Sequence, residues 1–174
     1  MITFTQLADS DHSHFAQDLF EEAFPEQERP PFSSLRRRDS GKFHFLVAEN
    51  GEDPIGILTY WTFDELVYVE HFAIAEELRN QGLGKAVFLN FLSQQTEQVV
   101  LEVELPTTEE ADHRLEFYAT MGFFRNPQPY TQPSYRAGGQ QVPMILMSKY
   151  ELDDDEFDEI RQLIYREVYG VEHI

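Results

Sequence analysis

Residues 72–87 read FAIAEELRNQGLGKAV. The apolar pattern VYVEHFAI at 67–74 runs into Arg79-Asn80-Gln81-Gly82-Leu83-Gly84-Lys85. A helical pattern follows, with Ala86, Phe88, Leu89 and Leu92 apolar. A strand that enters a glycine-rich turn and then a helix leaves backbone N–H groups unpaired, and the helix dipole adds partial positive charge there. Glycine lets the backbone approach an anion with no Cβ in the way. The segment therefore reads as a phosphate cradle, with an ordinary helix start and a packing glycine as the plain alternative. Two common nucleotide cradles do not match. Lys85-Ala86 lacks the Ser/Thr of the P-loop, and the dinucleotide fingerprint needs a third glycine in the first βα unit.

Outward from this segment, ITFTQL (2–7) reads as a first strand and SHFAQDLFEEAF (13–24) as an amphipathic helix. PEQERPPF breaks that helix, and SSLRRRDSG (33–41) reads as a short second one. KFHFLVAEN, IGILTYWTF and LVYVEHFAI then form an antiparallel meander with turns at NGEDP and Asp64-Glu65. Beyond the glycine helix come a strand at VVLEVEL (99–105), a helix at EEADHRLEFYATMG (109–122), a proline-, glycine- and tyrosine-rich stretch (123–140) and a strand at QVPMILMSKY. The chain closes with DDDEFDEIRQLIYREVYG, whose early aspartates and later Arg161 and Arg166 match a helix macrodipole. The order predicts a mixed α/β (α+β) domain and not a regular βαβ alternation.

The chain has 174 residues and a formal net charge of −19, from 32 acidic and 13 basic residues. Such a surface repels nucleic acid and anionic membranes and attracts cationic small molecules. No apolar run is long enough to span a bilayer, and the N-terminus has no export-signal pattern. With no cysteine, disulfides, thiolate metal sites and a covalent cysteine intermediate are excluded. These features predict a cytoplasmic protein with no metal.

FAIAEELRNQGLGKAV resembles the coenzyme A-binding segment of the GNAT superfamily of N-acetyltransferases, Arg/Gln-x-x-Gly-x-Gly/Ala, here Arg79, Gly82 and Gly84. VVLEVEL followed by EFYATMGF resembles the family's fifth strand and the Tyr-x-x-x-Gly-Phe helix behind it. The resemblance covers roughly residues 1–150. It implies a central, mostly antiparallel sheet flanked by helices, with the fourth and fifth strands splayed to admit the pantetheine arm of acetyl-CoA. Residues 1–150 would then form the acetyltransferase domain. Residues 151–174 would be a helical extension packed on it or on a homodimer partner. Two features depart from the family: the connection PTTEEADHRL is longer and lacks the family's frequent asparagine, and the last helix lies beyond the usual core.

By that resemblance, the backbone of Arg79, Asn80, Gln81, Gly82, Leu83, Gly84 and Lys85 would hold the pyrophosphate. The backbone of Phe72, Ala73 and Ile74 would hold pantetheine. Arg79 and Lys85 would add positive charge, and Arg36-Arg37-Arg38 would face the adenosine phosphate or simply solvent. Acetyl transfer to an amine needs a base for the ammonium, donors for the oxyanion and an acid for the thiolate. Glu70 and Glu102 are the candidate bases, the latter in LEV as in some ribosomal-protein acetyltransferases of the superfamily. Tyr118 holds the position of the acid. Period-two alternation puts Glu102 and Glu104 on one face, puts Glu70 with Tyr68 and Phe72, and turns His71 to the opposite face. Tyr130, Tyr135, Arg136 and Trp61 are candidates for the acceptor pocket. The implied activity is direct acetyl transfer, in a ternary complex, to a primary amine of a cationic small molecule or peptide. The alternatives are a non-catalytic acyl-CoA-binding regulator and a phosphate-binding module unrelated to CoA.

Overall fold

Strands of this chain that are apolar on both faces need cover on both faces, and the N-terminal meander has it. The computed structural model describes residues 1–35 and 41–172. They fall into two compact units, Met1–Glu97 and Gln98–Ile174. Arg36, Arg37 and Arg38 lie outside the described residues.

In the first unit, β1 (Ile2–Gln6), β2 (Phe43–Asn50), β3 (Asp53–Thr62) and β4 (Leu66–Ile74) pair antiparallel in sequence order. Three helices accompany them: α1 (Ser13–Ala23), the single turn α2 (Phe32–Leu35) and α3 (Leu83–Ser93). One face of the sheet presents Phe45, Val47, Ile57 and Ala73 to Ala16, Leu19 and Phe20 of α1 and to Phe32 and Leu35 of α2. The other face carries α3, with Val87 against Ala48, Ile55 and Ile74. There the Phe72 ring meets Phe88 and the Tyr60 ring meets Phe91, each at 5.0 Å between centroids.

Gly56 on β3 is a close-approach position. A Cβ there would lie 2.7 Å from both the Ala73 carbonyl oxygen and Ile74 Cδ1. Gly56→Ala is therefore expected to destabilise the protein by about 1–3 kcal/mol, the cost of overpacking. A lower urea midpoint checks this; an unchanged midpoint would show that the strands can separate there at no cost.

The β3–β4 ladder contains a bulge. Thr59 pairs with His71 and the next residue, Tyr60, pairs with Val69, so Glu70 is the extra residue. A bulge re-aims side chains and shifts the alternation. Thr59–His71 and Trp61–Tyr68 are directly opposed pairs, and Thr59 and Trp61 are two apart, so His71 and Tyr68 lie on one face. Glu70 accepts a bond from Trp61 on that same face, while Phe72 faces α3. The alternation expected from sequence, with Glu70 beside Phe72 and His71 opposite, is corrected by this one inserted residue.

In the second unit, β5 (Gln98–Glu104) is followed by α4 (Glu109–Ala119), β6 (Phe124–Arg125), β7 (Tyr130–Gln132), β8 (Val142–Ser148) and α5 (Asp154–Ile164). β8 pairs antiparallel with β5, β6 and β7. The two short strands were not expected within the proline-rich stretch. Thr108 caps α4, its side chain accepting from the Ala111 N–H at 3.1 Å, and Gly122 ends that segment at φ 86°. An Asp153–Glu156 capping box opens α5. The expected single C-terminal helix changes at Tyr165–Tyr169 to a π-helical turn, closed by Gly170 at φ 68°.

Candidate active site

The segment after β4 turns through Glu76–Leu78 and is tied back to the strand by Arg79, whose Nε donates to the Ile74 carbonyl at 2.9 Å. Asn80 adopts φ 60° and Gly82 φ 77°, so the chain enters α3 through two left-handed residues. The first helical bond is that from Ala86 N–H to the Gly82 carbonyl at 3.1 Å, and no side chain caps this helix start. The amides of Leu83, Gly84 and Lys85 thus stand at the end of a three-turn helix, where an outside acceptor satisfies them. A Cβ at Gly82 would meet no atom within 4 Å, so the space beside Gly82 at the helix entry is open. Gln81, Gly82 and Lys85 are exposed, and Leu83 and Gly84 are half-buried.

Glu70 is half-buried in an apolar strand. Its Oε2 accepts from the Trp61 indole N–H at 2.7 Å, and Trp61 is itself buried. His71, beside it, is a core residue. Its Nε2 lies 3.1 Å from the Glu28 carbonyl and its Nδ1 lies 3.2 Å from Thr59 Oγ1. A carbonyl only accepts, so in the neutral ring Nε2 donates and Nδ1 accepts from the threonine hydroxyl. The edges of Phe20 and Phe24 enclose it. Through His71 the residue 25–31 loop is pinned to β4.

In the second unit, Glu102 and Glu104 are both half-buried, with Val103 buried between them. Their surroundings differ. Glu104 Oε2 pairs with Arg114 Nη1 of α4 at 2.5 Å. Glu102 accepts from uncharged donors: the Tyr130 hydroxyl on Oε1, and Gln132 Nε2 at 2.6 Å and the Tyr169 hydroxyl at 2.8 Å on Oε2. A carboxylate has about four acceptor positions, and these donors take up three of them. Tyr130 is buried. That burial, followed by the adjacent Glu102 charge, pushes its hydroxyl pKa well up and keeps it a donor. Tyr130 packs against Phe157 and Tyr165, and the Tyr165 hydroxyl donates to the Thr131 carbonyl at 2.5 Å.

Tyr118 on α4 is buried against Phe117 and Phe123. Burial is the main cause of an upward shift of its hydroxyl pKa, with nearby Arg114 opposing it and Glu104 adding to it. Tyr135 lies at the wall of a pocket of about 450 Å³ that also involves Pro133, Ser134, Arg136, Tyr169 and Val171. Sequence reading missed Gln132 and Tyr169 as partners of Glu102. Those bonds span 30 and 67 residues, and no local periodicity carries them. Among the described residues, no group of three or more His, Asp or Glu side chains is placed to hold a metal. No described helix is long and apolar enough to cross a membrane.

The fold is mixed α/β, with a mostly antiparallel sheet flanked by helices and an uncapped, glycine-led start to α3. A model of the Acetyltransferase (GNAT) family matches residues 10–123, and the chain belongs to that family; it is an acetyltransferase. The match spans the glycine segment, Glu70, Glu102 and Tyr118. Among solved structures, a Bacteroides thetaiotaomicron protein assigned to the GNAT family of acetyltransferases is 37% identical with a TM-score of 0.91, covering 98% of this chain and 99% of that one. Such coverage takes in the segment after β8. The ribosomal-protein-S18-alanine N-acetyltransferase from Escherichia coli is 14% identical with a TM-score of 0.62, covering 89% of this chain and 97% of that one. Arabidopsis thaliana NAA60, solved with a bisubstrate analogue, is 16% identical with a TM-score of 0.61, covering 85% and 97%. These last two share the fold. No curated protein matches the chain.

Proposed function

We propose that the protein moves the acetyl group of acetyl-CoA to a primary amine of a cationic small molecule or peptide, by direct transfer in a ternary complex. The observation that carries this reading is the α3 N-terminus: three amides with no side-chain cap, entered through left-handed Gly82, beside which the space is open. These residues fit a diphosphate, since main-chain N–H groups and the helix dipole supply its counter-charge. Lys85 and the Nη groups of Arg79 add positive charge in a chain that is otherwise strongly acidic. The backbone of Phe72, Ala73 and Ile74 leads into the cradle and would bind the pantetheine arm.

In the reaction, the amine nitrogen attacks the thioester carbonyl carbon, the C–N bond forms, and the C–S bond breaks. The ammonium proton must leave first, and Glu70 is assigned as its acceptor, directly or through water. The bulge aims it and the Trp61 N–H orients it, the arrangement expected of a positioned base. Glu102 is assigned to the acceptor's positive charge. A carboxylate held in place by three hydrogen-bond donors is well fixed to face a cation. Tyr118 is assigned to protonate the departing thiolate. Residues 1–150 would carry these roles, and 151–174 would complete the acceptor side.

The test is thiol release from acetyl-CoA across a panel of primary amines. Turnover with cationic amines is expected, and acetyl-CoA binding with no turnover on any amine would contradict the proposal. Tyr118→Phe should lower kcat about 10²-fold, the scale of one general acid, with acetyl-CoA affinity retained. The pH sign is definite. Burial raises the Tyr118 pKa, so its hydroxyl stays protonated beyond the ordinary tyrosine value of about 10. An alkaline limb below that pH belongs to another group and should persist in the variant. Its disappearance would contradict the assignment.

A further inference from the structure

The tail of the chain reaches a carboxylate that the proposed function uses. The π-helical turn Tyr165–Tyr169 brings the Tyr169 hydroxyl to 2.8 Å from Glu102 Oε2. Single π turns recur at functional sites because they re-aim side chains. Gly170, in the left-handed region, and the bond from Val171 N–H to the Tyr165 carbonyl at 2.9 Å fix the end of this turn. Tyr169 also lines the pocket of about 450 Å³ beside the 133–141 loop, with Tyr135 on the same wall.

Tyr169 has one hydroxyl proton, and it goes to the carboxylate. The Tyr135 hydroxyl, 3.4 Å from that of Tyr169, is then the donor of the pair. The chain runs Tyr135 O–H to Tyr169 O–H to Glu102. Each bond polarises the next and concentrates negative potential on the tyrosine oxygens at the pocket wall. The two rings lie 5.0 Å apart and tilted by 50°, presenting aromatic surface of the kind that holds organic cations. Arg136, which also lines the pocket, is solvent-exposed, and its charge is screened there.

We propose that this pocket seats an alkylammonium group of the acceptor, and that Tyr169 is the positioning residue that couples it to Glu102. The inference rests on the reading of the protein as an amine acetyltransferase, and it makes the C-terminal segment part of the acceptor site.

The test titrates n-butylammonium chloride into the full chain in 0.15 M salt, followed by backbone amide NMR, with acetyl-CoA affinity measured in parallel by calorimetry. Saturable shifts are expected at residues 133–141 and 169–171. Tyr169→Phe, which keeps the ring and removes one hydroxyl, should weaken the ammonium about tenfold, the loss of about 1.4 kcal/mol, and leave acetyl-CoA affinity unchanged. Glu102→Gln should weaken it at least as much. A residue that merely props the fold would lower the melting temperature and leave the ammonium affinity in place. Shifts elsewhere, no saturable shift, or wild-type ammonium affinity in Tyr169→Phe each overturn the inference. Absence of acetyl-CoA binding by the unmodified chain overturns the acetyltransferase mechanism instead, so the two failures are distinguishable.

Discussion

Glu70→Gln lowers kcat/KM for the amine by about 10²–10⁴-fold, the range supplied by a positioned general base. The amide is close in shape to the carboxylate, and its oxygen still accepts the Trp61 N–H that now reaches Glu70 at 2.7 Å. The bulge and the surrounding strands should therefore be unchanged, and the loss falls on proton removal alone. That gives a second signature. A lysine-like ammonium has a pKa of about 10, so the free-amine fraction rises about tenfold per pH unit below that value. The variant, unable to remove the proton itself, gains activity along that line and narrows its gap to the unmodified enzyme at alkaline pH. A variant within threefold of the parent at neutral pH would remove Glu70 from the reaction and return the base to Glu102.

Gly82→Val raises the dissociation constant for acetyl-CoA by 10²-fold or more. The added side chain enters open space, since a Cβ meets nothing within 4 Å, and it does so at the residue that opens α3. The substitution also carries a conformational cost. Gly82 sits at φ 77°, where an L residue is strained by roughly 1–2 kcal/mol and a β-branched one is a genuine outlier. Lower stability is expected alongside lost binding, and Gly82→Asn separates the two. Asparagine tolerates the left-handed region and can cap the helix itself. It should keep the melting temperature near the parent value while its side chain competes for the amides that bind diphosphate. Full affinity in both variants would mean that these amides hold nothing.

Much of the fold was legible because its signals are local. The apolar alternation of β2 to β4, the periodicity of α1, α3 and α5, and the glycines at 82 and 122 each announce themselves within a few residues. The turn between β4 and α3 was legible for the same reason: strand, Gly82-Leu83-Gly84 and helix are contiguous. What escaped was set by tertiary pairing. The bulge that adds Glu70 to β4 arises from how β3 and β4 register, and strict alternation cannot see it. Asn126 is another case. Buried in a proline-rich stretch, it donates to the Leu146 carbonyl at 2.9 Å and to Ser148 Oγ at 2.8 Å, and accepts from the Leu152 N–H at 3.2 Å. It thereby ties three separate segments through one amide. The surroundings of Glu102 belong to the same class, since Tyr130, Gln132 and Tyr169 converge on it from 28, 30 and 67 residues away.

Isothermal titration of acetyl-CoA into the purified, unmodified chain tests the central claim most directly. One saturable site with a dissociation constant between about 1 μM and 1 mM, the span of typical enzyme KM values, is predicted, with the heat lost when Gly82 is replaced by Asn. No heat of binding at millimolar acetyl-CoA would contradict the account, whatever the amine supplied.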